Sequence, residues 1–195
     1  MMGMWFAVGF IVIALFLGVA IYNGLIARKN QVDNADSTIV VMLKKRFDLL
    51  PNMVETVKAY MSHEREVLNE LTELRTRFQS DMATREKKSE LDRRLNQVFS
   101  RFNIMVEAYP DLKASNNFSQ LQRSINETEE QIAAARRAYN AAVTDLNNGI
   151  EMFPSNIFAR RMGLTQRILF DIPEAQTQLP DIAELFENRA NKDAR

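Results

Sequence analysis

Residues 118–153 read FSQLQRSINETEEQIAAARRAYNAAVTDLNNGIEMF, and two stripes run through them in a three-four alternation. One comprises Phe118, Ile125, Ile132, Tyr139, Leu146 and Phe153; the other comprises Leu121, Thr128, Ala135, Ala142 and Gly149. Each recurs every seven residues, the spacing that keeps one seam of a helix turned toward its neighbours. The first stripe is large and the second becomes small, so a neighbouring helix is expected to approach closely on the small side. Ala135, Tyr139, Ala142 and Leu146 are thus the expected bundle seam. Asn117 predicts the N-cap, with Gln120 three residues later as a partial capping box. Pro154 marks the far end, because the residue before a proline is biased out of the helical region.

Upstream, a second helix carries Leu91, Leu95, Val98, Phe102, Met105 and Tyr109, widened by Phe99 and Val106. Its start falls between Ser80 and Ser89, and residues 110–116 form the connection to the next helix. Further upstream, Ile39, Leu43, Phe47, Leu50, Val54, Val57, Met61, Leu68, Leu71 and Phe78 predict helix from near Asn23 to Phe78, interrupted by Pro51. Either the helix continues through the proline with a kink, or the chain turns a corner. In the second case Asp48 caps a new helix and Pro51 sits in its first turn, where the missing N–H is harmless. Length favours the corner: a continuous rod over that stretch would reach about 84 Å. Its first half would then leave Ile39, Val40 and Leu43 without a partner. The segments become 23–48, 49–79, 84–109 and 116–152. The expected fold is all-α, an N-terminal transmembrane helix followed by an antiparallel four-helix bundle of the up-down type.

The membrane expectation comes from residues 1–27, which carry no charged side chain. Met4 to Ile21 is apolar apart from Gly9 and Gly18, and eighteen or more such residues suffice to cross a hydrocarbon core of about 30 Å. A cleaved secretory signal is the rival. It calls for a positive n-region and a shorter apolar core before a small-residue cleavage site, and Gly18-Val19-Ala20 matches that site poorly. Arg28 and Lys29 follow at once, then Lys44, Lys45 and Arg46. Positive residues near a span stay on the cytoplasmic side, so the N-terminus is expected outside and the helical domain in the cytoplasm. The expected division is an anchor over 1–27, a helical bundle over 28–153 and a partly amphipathic or flexible tail over 154–195. In that tail Arg160, Arg161 and Arg167 alternate with large apolar side chains. Such a segment beside an anchor suits anionic lipid headgroups, or alternatively packs its apolar groups on the bundle base.

Catalytic chemistry is sparse. The chain has no cysteine and one histidine, which leaves zinc, haem-thiolate and iron–sulfur sites short of ligands. His63 lies beside Glu64, but position 67 is valine and position 60 tyrosine, so neither a zincin helix nor a di-iron Glu-x-x-His pair is present; it is expected to be a surface residue on a solvated helix face. The carboxylates Asp33, Asp36, Asp145 and Glu151 would hold a metal only if helices gathered them. Lys plus Arg and Asp plus Glu number 25 each, a balance that offers nucleic acid no field. No catalytic, cofactor or metal residue is therefore assigned.

Several runs nonetheless carry a resemblance. Residues 22–26, 28–30 and 32–35 do so, as do 44–52 (Lys44-Lys45-Arg46-Phe47-Asp48-Leu49-Leu50-Pro51-Asn52) and 54–58. Further along the chain, Tyr109-Pro110-Asp111-Leu112-Lys113-Ala114, Phe118, Glu127-Thr128-Glu129, Ala135-Arg136, Tyr139-Asn140, Val143 and Phe153-Pro154-Ser155-Asn156 follow in order. Together they resemble the LemA family. Asp36 stands where that family commonly has tryptophan, and the tail beyond Phe158 matches poorly. The resemblance implies a bacterial inner-membrane protein with one N-terminal span and a four-helix bundle, and it brings no catalytic residues. The expected role is that of a non-enzymatic scaffold or adaptor whose partners are the lipid bilayer, other membrane proteins or a second copy of itself. A bundle that senses a ligand or ion between its helices, with inward polar residues such as Asn140 or Asn147, is the alternative.

Overall fold

A computed structural model describes residues 2–61, 63–80 and 85–170. It is all-helical among those residues: α1 (Met2–Lys58), α2 (Arg65–Ser80), α3 (Arg85–Val106), α4 (Pro110–Lys113), α5 (Asn116–Glu151) and α6 (Ser155–Arg161). α1 has 57 residues, which at about 1.5 Å each gives a rod on the order of 85 Å. Its first third presents Trp5, Phe6, Phe10 and Phe16 fully outward, and it is long and apolar enough to cross a membrane. From Leu25 onward one face turns inward. Leu25, Val32, Ile39, Leu43, Arg46, Leu50, Met53 and Val57 are all buried, an alternation of threes, fours and sevens that a single helical seam requires.

The expected corner at Pro51 is not there. α1 runs through the proline to Lys58, and turn residues follow at 59, 60 and 63, ahead of α2. Proline in a helix removes one backbone hydrogen bond and crowds the preceding turn, a local cost that the packing on both sides offsets. Leu50, Met53 and Val57 are buried beyond 95%, each stabilising by about 1.5–3 kcal/mol. Phe47, four residues before the proline, stacks on Phe78 of α2 with ring centroids 4.1 Å apart. The supposed lack of a partner for Ile39 and Leu43 also disappears. α5 has 36 residues and reaches alongside this part of α1, burying both.

Paired residues trace how the helices lie. On α1 and α5, Leu25 and Arg28 meet Gly149, and Lys45 reaches Gln131, so the two chains run in opposite senses. On α2 and α3, Arg101 pairs with Glu70. α3 reaches α5 through Phe102 and Phe118, centroids 6.3 Å apart. The small stripe of α5 is buried from Thr128 through Ala135, Ala142 and Gly149. Its end shows the close approach: a Cβ built on Gly149 would lie 3.2 Å from Leu25 and closer still to the Arg28 guanidinium. The large stripe is buried at Phe118, Ile125, Ile132, Tyr139 and Leu146 but stops there. Phe153 is 79% exposed, because α5 ends at Glu151 and the helical phase that would turn Phe153 inward is lost.

Three smaller expectations are also corrected. Ser115, not Asn117, is the N-cap of α5 (φ −69°, ψ 124°), without a side-chain cap; its carbonyl accepts from Ser119 while its N–H closes the turn on Leu112. The connection at 110–116 contains the helical turn α4, with Pro110 at its first position, where proline's fixed φ suits a helix start. His63 is exposed, as expected, but it lies in the turn between α1 and α2 rather than on a helix face. Of the tail, residues 171–195 lie outside the described residues.

Ala142 lies in the small stripe and Phe153 beyond the helix end, so substitution should be felt at the first position and hardly at the second. Ala142→Leu is expected to destabilise by about 1–3 kcal/mol through overpacking, whereas Phe153→Ser should change stability by less than about 0.5 kcal/mol. Chemical denaturation of the purified chain in detergent measures both.

Candidate functional site

The polar residues drawn into the interior belong to three helices. Arg46 of α1 and Asp92 of α3 are 2% and 1% exposed and form an ion pair at 2.8 Å. The second Arg46 nitrogen donates to Asn96 of α3 at 2.7 Å and to Glu129 of α5 at 2.5 Å. Arg136 of α5 closes the network on the other Asp92 oxygen. The Arg46 guanidinium also lies over the Phe99 ring, 5.3 Å from its centroid. Two arginines therefore balance two carboxylates. Such a cluster can fix register, because a one-turn slip of any of the three helices would strand a buried charge. Among the described residues, Nε of Arg46 and of Arg136 has no hydrogen-bond partner.

A second constellation sits where α1 emerges from the bundle. Phe158 of α6 lies against Gly18, its ring 3.4 Å from where a Cβ would stand. Gly18 is seven residues, or about 10 Å along the axis, before Leu25. α6 is thereby held beside the apolar part of α1. Arg160 and Arg161 are exposed and, with Asn156 and Ile157, line a cavity of about 340 Å³. The neighbouring Met152, Phe153 and Ile157 are exposed apolar groups. Arg167 stands apart from the other two arginines, 3.7 Å from Asp33 of α1.

Beyond α6 the chain doubles back. Gly163 takes φ +66°, with its N–H on the Arg160 carbonyl and the Leu164 N–H on that of Ala159, the left-handed helix ending that glycine permits. Residues 164–170 then run along α5. Asn147 donates to the Arg167 carbonyl at 3.0 Å and accepts from its N–H at 2.9 Å. Asn140 does the same for Phe170, at 3.1 and 2.8 Å. The Tyr139 hydroxyl donates to the Ile168 carbonyl at 3.3 Å. These two asparagines, expected to line a ligand pocket, face a stretch of the chain's own backbone.

At the opposite end, Leu50, Pro51, Val54, Glu55, Lys58, Thr72 and Arg75 line a cleft of about 360 Å³ between α1 and α2. Nearby, the Tyr109 hydroxyl donates to Glu64 at 3.3 Å. Burial, and then the Glu64 carboxylate beside it, hold the Tyr109 phenol above its ordinary pKa. Among the described residues, no three or more His, Asp or Glu side chains are gathered as metal ligands require. Asp33 faces Arg167 and Glu151 faces Gln166.

A sequence model described as the LemA family matches residues 35–183. The chain belongs to the LemA family. It is also similar to Protein LemA of Metamycoplasma hominis, with 29% identity over 170 residues, covering 87% of this chain and 78% of that protein. The family match extends past Phe158 to residue 183, which corrects the expectation that the tail beyond Phe158 resembles the family poorly.

Of the anticipated seam residues, Ala135, Tyr139, Ala142 and Leu146 are all buried on α5. The Arg46 network was not anticipated, although a signal was there. Arg46 occupies the seam position between Leu43 and Leu50, where the alternation calls for an apolar residue, and Asp92, Asn96 and Phe99 share one face of α3 at spacings of four and three. Read along the chain, Arg46 is one of the positive residues that follow the span and belongs to the run 44–52 that resembles the family.

Asp92→Leu removes the carboxylate that faces both the buried Arg46 and the partly exposed Arg136 and is expected to cost about 3–5 kcal/mol, while the triple change Arg46→Met, Asp92→Leu, Arg136→Met should be neutral or stabilising by about 1–4 kcal/mol; urea titration in detergent separates them. For Tyr109 the folded chain holds its proton more tightly than the unfolded chain, so stability falls as pH rises through the alkaline range above about 10. Tyr109→Phe should lose less stability than the parent as pH rises above about 10, measured by the same titration.

Proposed function

We propose that this LemA-family chain is a non-catalytic, membrane-anchored helical interaction module, a scaffold or adaptor for other membrane proteins or for itself. On this reading residues 1–27 span the bacterial inner membrane, with the N-terminus outside and the helical domain in the cytoplasm. α1 from Leu25, with α2, α3 and α5, forms an up-down antiparallel four-helix bundle. The observation that carries the proposal is the continuity of α1. One unbroken helix passes from an outward-facing apolar stretch into the buried seam, so a load at the bundle is transmitted to the anchor without a flexible joint. Phe158 on Gly18 supports a further detail. α6 rests at the inner leaflet, its exposed apolar groups at the acyl boundary and Arg160 and Arg161 at anionic headgroups.

The test is purification of the full chain in native membrane discs, with sedimentation and mass spectrometry of what accompanies it. A stoichiometric membrane partner or a defined self-assembly is the expected result; a strictly monomeric chain that recovers nothing overturns the proposal. A reporter fused after Arg195 should be active in the cytoplasm, and activity outside would reverse the topology.

The cleft beside Pro51 favours a second reading, a bundle that senses a small ligand or ion. That reading expects a melting temperature raised by millimolar divalent cations or small anions, and no shift with either counts against it.

A further inference from the structure

Asn140 and Asn147 are seven residues apart on α5, two turns and about 10.5 Å along the axis. The residues they hold, Phe170 and Arg167, are three apart, a span of about 10–11 Å only when the backbone is nearly fully extended. The two spacings match. Each side-chain amide satisfies both the N–H and the C=O of one residue, the pairing that a neighbouring β-strand would supply. The contact therefore reads main chain, and most of the side chains it carries face away: Ile168 is 83% exposed and Leu169 about half exposed. A single side chain is read as well. The Phe170 ring meets Tyr139 edge-on with centroids 5.1 Å apart, and the Arg136 guanidinium lies 5.8 Å from its centroid. That same Arg136 is tied to the buried Asp92, so the aromatic seat is held by the polar network of the interior.

We infer that this face of α5 is a binding site for extended peptide segments, whose resident occupant is the chain's own 164–170. The ligand class is an extended segment of a partner protein carrying an aromatic residue three positions after the first clamped residue. Two arguments favour such an exchangeable occupant. The recognition uses backbone groups that any peptide has, as in strand-addition modes, and the resident is joined through the left-handed turn at Gly163, with Phe170 packed against the core as its anchor. Being tethered, the resident competes at a high effective concentration, so a free peptide gains access once its anchor is weakened. This inference rests on the interaction-module reading and names the surface that reading would use.

The experiment uses the full chain in detergent, a fluorescent peptide with the sequence of residues 164–170, and fluorescence anisotropy. Phe170→Gly, which removes the aromatic anchor of the resident, is expected to bind the peptide at least about tenfold more tightly than the unmodified chain does. A peptide N-methylated at the residues equivalent to Arg167 and Phe170, which lacks the two N–H donors, should bind on the order of tenfold more weakly or worse. A peptide with alanine in place of the aromatic should be similarly weakened. Adding Asn140→Ala and Asn147→Ala to the Phe170→Gly chain should abolish binding, and the peptide variants test the same contacts without altering the fold. Equal binding of the methylated and unmethylated peptides, or no binding to the Phe170→Gly chain, overturns the inference. So does a dimer in which 164–170 of one copy occupies the other, seen as an intersubunit crosslink. If the peptide fails to bind while the full chain still recovers a membrane partner, the site is wrong and the interaction-module reading stands.

Discussion

The seam between α1 and α5 organises everything else in the molecule. α1 has an outward apolar stretch before Leu25 and a buried face after it, and these must lie on one helical rod. A long rod with a buried stripe needs an equally long partner. α5 is that partner, and its stripe of Thr128, Ala135, Ala142 and Gly149 allows the two backbones to approach closely where Leu25 and Arg28 cross Gly149. Small side chains leave little dispersion contact of their own; their value is that they let the facing helix fill the space at near-crystalline density. α2 and α3 cover the rest of the seam, and Phe47 on Phe78 fixes where α2 returns along α1.

Within this seam a buried charge, Arg46, breaks the apolar rule. Arg46 stands where a leucine would pack, and α3 and α5 answer with Asp92, Asn96 and Glu129. The desolvation of buried charges makes such a cluster a poor source of net stability. Its effect is on alternatives, since shifted registers would leave at least one ion unpaired. The network also reaches the surface through Arg136, which faces Asp92 on one side and the Phe170 ring on the other. This guanidinium thus links the packing core to the C-terminal segment beside the Tyr139 contacts with Ile168 and Phe170.

The end of the bundle beside the apolar stretch of α1 gathers features that are far apart in the chain. Gly18, Phe158 and the Asp33–Arg167 pair bring residues from both ends of the described chain onto one stretch of α1. Such placement is a consequence of α5 ending near Leu25, so that α6 and the segment after it fall beside the start of the buried seam rather than at the distal cleft near Pro51.

Much of this was legible in the residues alone. The heptad spacing of α5, the apolar stretch before Arg28 and the family resemblance are local or periodic signals, and hydrophobic periodicity depends only on the geometry of the helix itself. Chain order and charge counting could not decide the rest. Whether Pro51 breaks α1 depends on the balance between one lost hydrogen bond and the burial of Leu50, Met53 and Val57 against another helix. Whether Arg46 is a wet cation or a buried ion depends on carboxylates 46 and 83 residues away. Asn140 and Asn147 look the same in sequence whether they line a pocket or hold a backbone; only the path of the chain after Gly163 settles which. Periodicity determined that helices form and which faces they bury, while partner choice, being a property of pairs distant in sequence, was decided by the tertiary structure.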